Sequence, residues 1–248
     1  MIEVIQRQAV FICGERLVQQ EVVLLLGERN GSGHTGIRTI QLGGIDDLAL
    51  YQHTEFLKSE LKEMDHSTEK WTQYFLDKKE IEMLRELREN SDLTIASDVI
   101  DVDVGIVTGL NDFFVLTERQ AKERRLEEYT RRLVSRSGHL QCIFFVDSDW
   151  LQNSKNDLPS LLLELPDFPL EKLSEFARIY IASGEAKSLH TGYKCRIRKR
   201  WYVVPSIWTP DAFMLRQVHG YPKIIVNEAG ATCTDTIHRV RFRNGAKG

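Results

Sequence analysis

The sequence predicts an α+β protein, and three observations carry that prediction. Residues 1–50 alternate apolar runs with polar turns, residues 55–98 switch to helical spacing, and short β-like runs return after residue 99. A chain of 248 residues can form one large domain or two smaller ones, with length for a real core. Hydrophobic residues make up 42% and charged residues 28%, an ordinary globular balance. No apolar run approaches the roughly 18–20 residues that span a bilayer. The apolar stretch Ala9, Val10, Phe11, Ile12 is too short for a signal peptide. Cys13, Cys142, Cys195 and Cys233 are scattered without a Cys-x-x-Cys pair, so they read as reduced thiols in a cytoplasmic protein.

Taken in order, residues 20–27 are a continuous apolar run with a polar lead-in, as expected of a strand buried on both faces. Residues 28–36 read as a turn or loop, and residues 37–42 as a strand that pairs back. Two or three strands make no stable sheet alone, so residues 1–54 read as the edge of something larger. Residues 55–98 form a helical linker. Asp77 and Glu80 match a capping box, and Ile81, Leu84 and Leu87 follow at helical spacing. Trp71, Phe75 and Leu76 precede this helix as candidate anchors. Residues 99–248 read as a mostly β domain. Its signals are a strand–turn–strand at 99–117, a charged helix at 117–133 capped by Thr117, and strands at 142–146, 201–204 and 223–226. One further helix is expected at 170–183.

The most informative stretch is 104–116, an apolar strand, a Gly-punctuated polar turn and a second apolar strand. Gly105 and Gly109 suit sharp bends or close approaches, and Thr108, Asn111 and Asp112 place short polar groups at the bend. Those three side chains either contact bases and phosphates or only shape the turn. Phe113 and Phe114 read as core.

Charge is divided unevenly. Residues 187–248 carry a net +9, so residues 1–186 carry −12. This split favours a C-terminal portion that faces a polyanion, against a merely solvated basic face. The densest cluster is Tyr193, Lys194, Arg196, Arg198, Lys199, Arg200, Trp201 and Tyr202. Read as a strand, its alternation puts Lys194, Arg196, Arg198, Arg200 and Tyr202 on one face. Such a stripe can neutralise phosphates or read guanine edges, and aromatic rings can stack or wedge at an opened base. The alternative is a charged, solvated edge strand. Arg239, Arg241 and Arg243 also alternate and extend the basic surface, and Asn227 stands either at a base or as the cap of a turn.

The stretch at 104–116 resembles the signature that opens the C-terminal target-recognition region of TaqI-like, gamma-class adenine DNA methyltransferases. Further blocks follow in the same order. Gln20, Glu21, Val22, Val23 and Leu24 resemble a strand late in the methyltransferase sheet, and Lys70-Trp71 with Phe75-Leu76 the linker helices. Tyr193-Lys194-Cys195-Arg196 with Arg198, Trp201 and Tyr202 is similar to one family segment, and Pro222 to Ala229 with Thr234, Asp235, Thr236 and His238 to another. The likeness covers most of residues 15–243.

The resemblance implies remnant strands of a doubly wound methyltransferase sheet in 1–54, a linker in 55–98 and a target-recognition domain in 99–248. It also implies double-stranded DNA as partner and methyl transfer from S-adenosylmethionine to adenine N6 as the parent reaction, part of restriction-modification. The family's cofactor loop and its Asn-Pro-Pro-Tyr box are both missing from this sequence. The Gly-rich loop 31–36 lacks the Lys-Ser/Thr of a phosphate loop. The chain therefore reads as a fragment or subunit without catalytic motifs and inactive alone. A separate catalytic polypeptide would be its partner, with S-adenosylmethionine belonging to that half. The alternatives are a stand-alone DNA-binding specificity module, or a metal-dependent nuclease using Asp147 and Asp149. His190, Cys195, Cys233 and His238 are zinc-competent side chains at a spacing unlike a zinc knuckle, so no metal is assigned.

Overall fold

The computed structural model describes residues 2–13, 16–27, 36–42, 47, 58–65, 67–217 and 220–243, with the backbone alone for 2–13 and 16–27. The chain divides into two compact units, Met1–Leu93 and Thr94–Gly248. Helices and mixed sheets together make an α+β fold. No described helix is long and apolar enough to cross a membrane.

In the first unit, β1 (Ile2–Cys13) and β2 (Arg16–Gly27) form an antiparallel hairpin in which Ile2 faces Gly27 and Cys13 faces Arg16. The third strand, β3 (Gly36–Leu42), lies parallel to β1, with Ile2 beside Ile37 and Arg7 beside Leu42. Residues 37–42 therefore do not pair back on 20–27. They join the far side of the hairpin, and β4 (Lys62–Glu63) closes an order of β2-β1-β3-β4. The expectation that 20–27 is buried on both faces concerns side chains outside the described residues, and so does the loop expected at 28–36, apart from Gly36.

A small cluster of Ile37, Tyr74 and Ile81 holds this unit, with Met64, Phe75 and Leu76 packed against it. Ile81 reaches it from the helix Lys78–Glu89. That helix begins where the sequence indicates. Asp77 accepts a hydrogen bond from the Glu80 amide at 2.9 Å, and Glu80 accepts one from the Asp77 amide at 2.9 Å.

Beside the cluster, Glu69 accepts hydrogen bonds from Arg85 Nε at 2.7 Å, the Tyr74 hydroxyl at 2.5 Å and Gln73 Nε2 at 2.9 Å. The Arg85 guanidinium above all holds the Glu69 carboxyl down at about 2, from an ordinary 4.5. A depressed carboxylate contributes its stability above the unfolded pKa and loses it as pH falls through the folded one. Hydrogen exchange across residues 62–89 should therefore accelerate as pH drops from about 4.5 to 2, after correction for intrinsic rates, and less so in Glu69→Gln. Identical acid profiles for the two proteins would dismiss this role.

The second unit is built on two sheets. Its strands are β5 (Ile100–Val104), β6 (Val115–Leu116), β7 (Thr130–Val134), β8 (Phe144–Phe145), β9 (Leu161–Leu163), β10 (Ala212–Leu215), β11 (Ile224–Asn227), β12 (Thr232–Cys233) and β13 (Ile237–Phe242). One sheet has the order β5-β13-β10-β11-β8, antiparallel except for the β11–β8 pair. The other has the order β12-β7-β9-β6, antiparallel except for β12–β7. A parallel bridge between Ile106 and Thr234 lies just beyond the named strands. The core gathers Phe114, Leu116, Leu126, Leu133, Leu162, Phe145, Phe213 and Ile237.

Helix is more abundant in this unit than the mostly β reading allows. The helices Glu118–Glu123, Asp147–Lys155 and Glu175–Ala186 alternate with the strands. Thr117 does cap a helix, in a box with Gln120, but that helix ends at Glu123 rather than running to residue 133. Arg125 turns the chain with a φ of 53°, and residues 130–134 then bury Leu133 and Val134 as a strand. The helix expected at 170–183 forms as Glu175–Ala186, with Ser174 accepting from the Ala177 amide at 3.3 Å. Residues 201–204 form no strand.

Candidate nucleic-acid interface

The turn after β5 is fixed by its own polar groups. Thr108 is buried, donates its hydroxyl to Asn111 Oδ1 at 2.5 Å and accepts from the Leu110 amide at 3.2 Å. Residues 111–114 then form a helical turn, Asn111–Phe114, instead of continuing the second strand directly. Thr108 and one oxygen of Asn111 are thus engaged in turn chemistry, while Asn111 and Asp112 are exposed. Phe113 and Phe114 are core, as expected. Phe113 stacks on Tyr180 at 4.5 Å and meets Trp201 at 4.9 Å, and Tyr180 donates its hydroxyl to the Phe113 carbonyl at 2.9 Å.

Two glycines make this turn possible. A Cβ on Gly105 would lie 2.0 Å from the Thr234 carbonyl oxygen. Gly109 has a φ of +78°, and a Cβ there would lie 2.6 Å from Lys194 Cβ. The turn therefore packs directly on the basic–aromatic segment.

That segment is not a strand. Tyr193–Arg196 is a single helical turn, and residues 197–204 are turns and bends without strand pairing. The alternating stripe of Lys194, Arg196, Arg198, Arg200 and Tyr202 is accordingly replaced by a division between exposed and engaged side chains. Cys195 faces inward, whereas Tyr193, Lys194, Arg196, Ile197 and Lys199 are exposed. Arg198 points back into the fold and donates to the carbonyls of Val107 at 3.0 Å and Thr108 at 2.7 Å. Burial lowers its pKa, and these carbonyls offset the lost hydration of a guanidinium that still carries its charge. Arg200 pairs with Asp167. Trp201 donates to Glu185 Oε1 at 3.0 Å, and buried Tyr202 donates its hydroxyl to the Phe168 carbonyl at 2.7 Å. Asp167, Phe168 and Glu185 are partners that the sequence did not announce.

The other expected contacts divide in the same way between engaged and exposed side chains. Arg239 is 3% exposed. It donates to the carbonyls of Val104 at 2.9 Å and Ser206 at 2.7 Å, meets Asp103 at 3.2 Å and lies over Trp208 at 4.4 Å. Arg243 pairs with Asp101. Asn227 caps the turn that follows it, donating to the Pro210 and Ala231 carbonyls at 2.8 Å each and accepting from the Ala231 amide at 3.2 Å. Arg241 stays exposed, over the Trp208 ring at 4.7 Å.

The nuclease residues are also occupied. Asp147 pairs with Arg132, and Asp149 accepts from the Val146 amide at 3.0 Å at the start of its helix. Among the described residues no three His, Cys, Asp or Glu side chains converge on a common point, and the set His190, Cys195, Cys233 and His238 is no exception. Burial pushes the Cys233 thiol up to about 12, consistent with an inert core position.

What remains is a concave basic surface. A cavity of about 490 Å³ is lined by Lys194, Arg198, Lys199, Arg200 and Asp167, with Val107, Ile197, Val203 and Pro205 as its apolar walls. With Arg200 paired to Asp167 and Arg198 turned to the Val107 and Thr108 carbonyls, Lys194 and Lys199 are the lining cations left to face the cavity, and they favour anions.

Residues 68–248 match the family described as the C-terminal domain of the type II methyltransferase M.Eco57I. The chain belongs to this family. The resemblance read from the sequence, to the C-terminal part of a DNA methyltransferase, agrees with that membership. No curated protein matches the chain. Among solved structures, the type IIG restriction endonuclease BpuSI is similar at a TM-score of 0.38 and 12% identity, over 98% of this chain and 31% of that one. The chain thus spans about a third of the length of that enzyme.

Proposed function

We propose that the second unit of this methyltransferase C-terminal domain grips double-stranded DNA for a site-specific adenine-N6 methyltransferase of a restriction-modification system. The observation that carries the reading is the anion-suited cavity with Lys194, Arg196 and Lys199 exposed around it, in a chain of this family. Lysine and arginine at such a rim displace counterions from phosphates, which gives grip and register without base readout. Asn111, Asp112, Tyr193 and Arg241 are the remaining exposed candidates for contacts with bases and backbone. Arg198, Trp201, Tyr202, Arg239 and Asn227 serve the same function indirectly, by holding the segments that carry the exposed groups.

Methylation of adenine N6 requires a base outside the duplex and a methyl donor. The lining cations would repel the sulfonium and amino groups of S-adenosylmethionine and attract only its carboxylate, so we assign the cofactor to no residue of this cavity. In this reading the cofactor belongs to a separate catalytic domain or polypeptide, and no transfer step is assigned to these residues. A cytoplasmic setting is in keeping with the free thiols of Cys142, Cys195 and Cys233.

The test is binding of the purified chain to a random-sequence 30-bp duplex across a salt series, beside Lys194→Ala/Arg196→Ala/Lys199→Ala. All three residues are exposed, so stability should change by no more than about 0.5 kcal/mol per site. The slope of log K against log salt should become shallower by about one for each phosphate no longer neutralised, up to about three in all. Equal slopes would remove the rim from the interface, and absence of binding by both folded proteins would overturn the reading.

A further inference from the structure

Two of the most exposed large apolar side chains of the second unit stand within its densest group of cations. Tyr193 is 65% exposed and Ile197 is 61% exposed. They are one helical turn apart, with the Ile197 amide donating to the Tyr193 carbonyl at 3.3 Å, so both project from the same short face. Lys194, Arg196 and Lys199 surround them in sequence, and Ile197 lines the anion-suited cavity itself. Single exposed apolar residues are ordinary. An apolar pair flanked by the cations of the proposed DNA-binding surface is different, because a duplex held by those cations would lie against it.

The pair also sits on a rigid base. Cys195 is 1% exposed between them, Arg198 ties the turn to the Val107 and Thr108 carbonyls, and Gly109 lets residues 107–110 approach Lys194 closely. Trp201 continues the anchor, 4.9 Å from Phe113. A side chain that must push between stacked bases needs such backing, since unstacking a step costs a few kcal/mol and a flexible support would yield first.

We infer that Tyr193 and Ile197 form a wedge that enters the DNA stack or minor groove and opens one base step. This rests on the DNA-binding reading above and adds to it what the apolar groups do. The surrounding cations hold the phosphates on either side while the ring and the branched side chain stand in for the stacking that the opened step gives up. The wedge supplies distortion that a base-extruding reaction needs.

A wedge binds more tightly to DNA that is already loosened, because the unstacking has been done in advance. The probes are a 24-bp duplex, fully paired, and the same duplex with one central abasic site. The native chain should prefer the abasic duplex by about tenfold, and Tyr193→Ala/Ile197→Ala should bind both alike, with its salt slope unchanged. Tyr193→Phe should keep the preference, because the ring survives. If the native chain binds both duplexes equally, or the double variant retains the preference, the wedge is overturned and the pair is assigned to a protein contact. If the native chain binds neither duplex, the DNA reading fails and the wedge fails with it.

Discussion

Gly105→Ala is expected to destabilise the second unit by more than about 3 kcal/mol. Gly105 lies where β5 leaves the sheet, and its amide donates to the Ile237 carbonyl at 3.0 Å. The next residue donates from its amide to the Cys233 carbonyl at 2.8 Å and accepts from the Asp235 amide at 3.1 Å. An added Cβ would stand 2.0 Å from the Thr234 oxygen and 2.4 Å from the Ile237 oxygen. Both are backbone atoms held in this junction, so relief requires residues 105–106 to part from residues 233–237. Overpacked side chains can rotate away at a cost of about 1–3 kcal/mol, and this obstacle cannot. Urea unfolding of the variant reads the loss directly. Gly109→Ala should also be costly, because its Cβ would stand 2.6 Å from Lys194 Cβ, an atom fixed to its own backbone, and the left-handed φ adds about 1–2 kcal/mol. A Gly105→Ala protein within about 1 kcal/mol of native would refute the close-approach argument.

Arg239→Met should cost about 3–5 kcal/mol while leaving the DNA salt slope of the folded protein unchanged. The substitution keeps most of the apolar stem and removes the guanidinium. Two carbonyls, of Val104 and Ser206, then lose a charged donor, at about 1.5–3 kcal/mol each and toward the lower figure because both residues are exposed to water. The contact with Trp208 is worth about 1 kcal/mol more. The partner Asp103 matters less, because its side chain is 66% exposed and water takes the place of the guanidinium. A stability loss with an unchanged slope identifies Arg239 as a brace. A shallower slope with unchanged stability would instead return it to the DNA surface.

Much of this architecture is legible in the sequence where the signal is local. The capping boxes at Asp77 and Thr117 act over three residues, and both form. The helix after Thr117 ends early because tertiary burial of Leu133 and Val134 outweighs local helix preference. The basic–aromatic segment misleads for a related reason. Alternation of charged and apolar residues suggests a strand, but the side chains are divided by distant partners: Asp167 lies 33 residues from Arg200, and the Val107 carbonyl lies 91 from Arg198. Sequence spacing cannot separate an arginine that braces a turn from one that faces solvent. Arg198 and Arg239 look like Arg196 and Arg241 until the carbonyls around them are known.

The sheet order governs when this unit can assemble. Its edge strand β5 waits for β13, and Arg239 closes onto the Val104 carbonyl across 135 residues. At translation rates of about 5–20 residues per second, on the order of ten seconds separates the synthesis of these two strands. Until then Val102 and Val104, which remain 47% and 40% exposed even in the finished sheet, belong to an unpaired strand able to join a neighbouring chain. The contacts are long-range, so folding falls toward the slow end of single-domain kinetics. Asp101 and Asp103 alternate with the valines and give the waiting strand negative charge, which keeps two nascent copies apart until Arg239 and Arg243 arrive to pair with them.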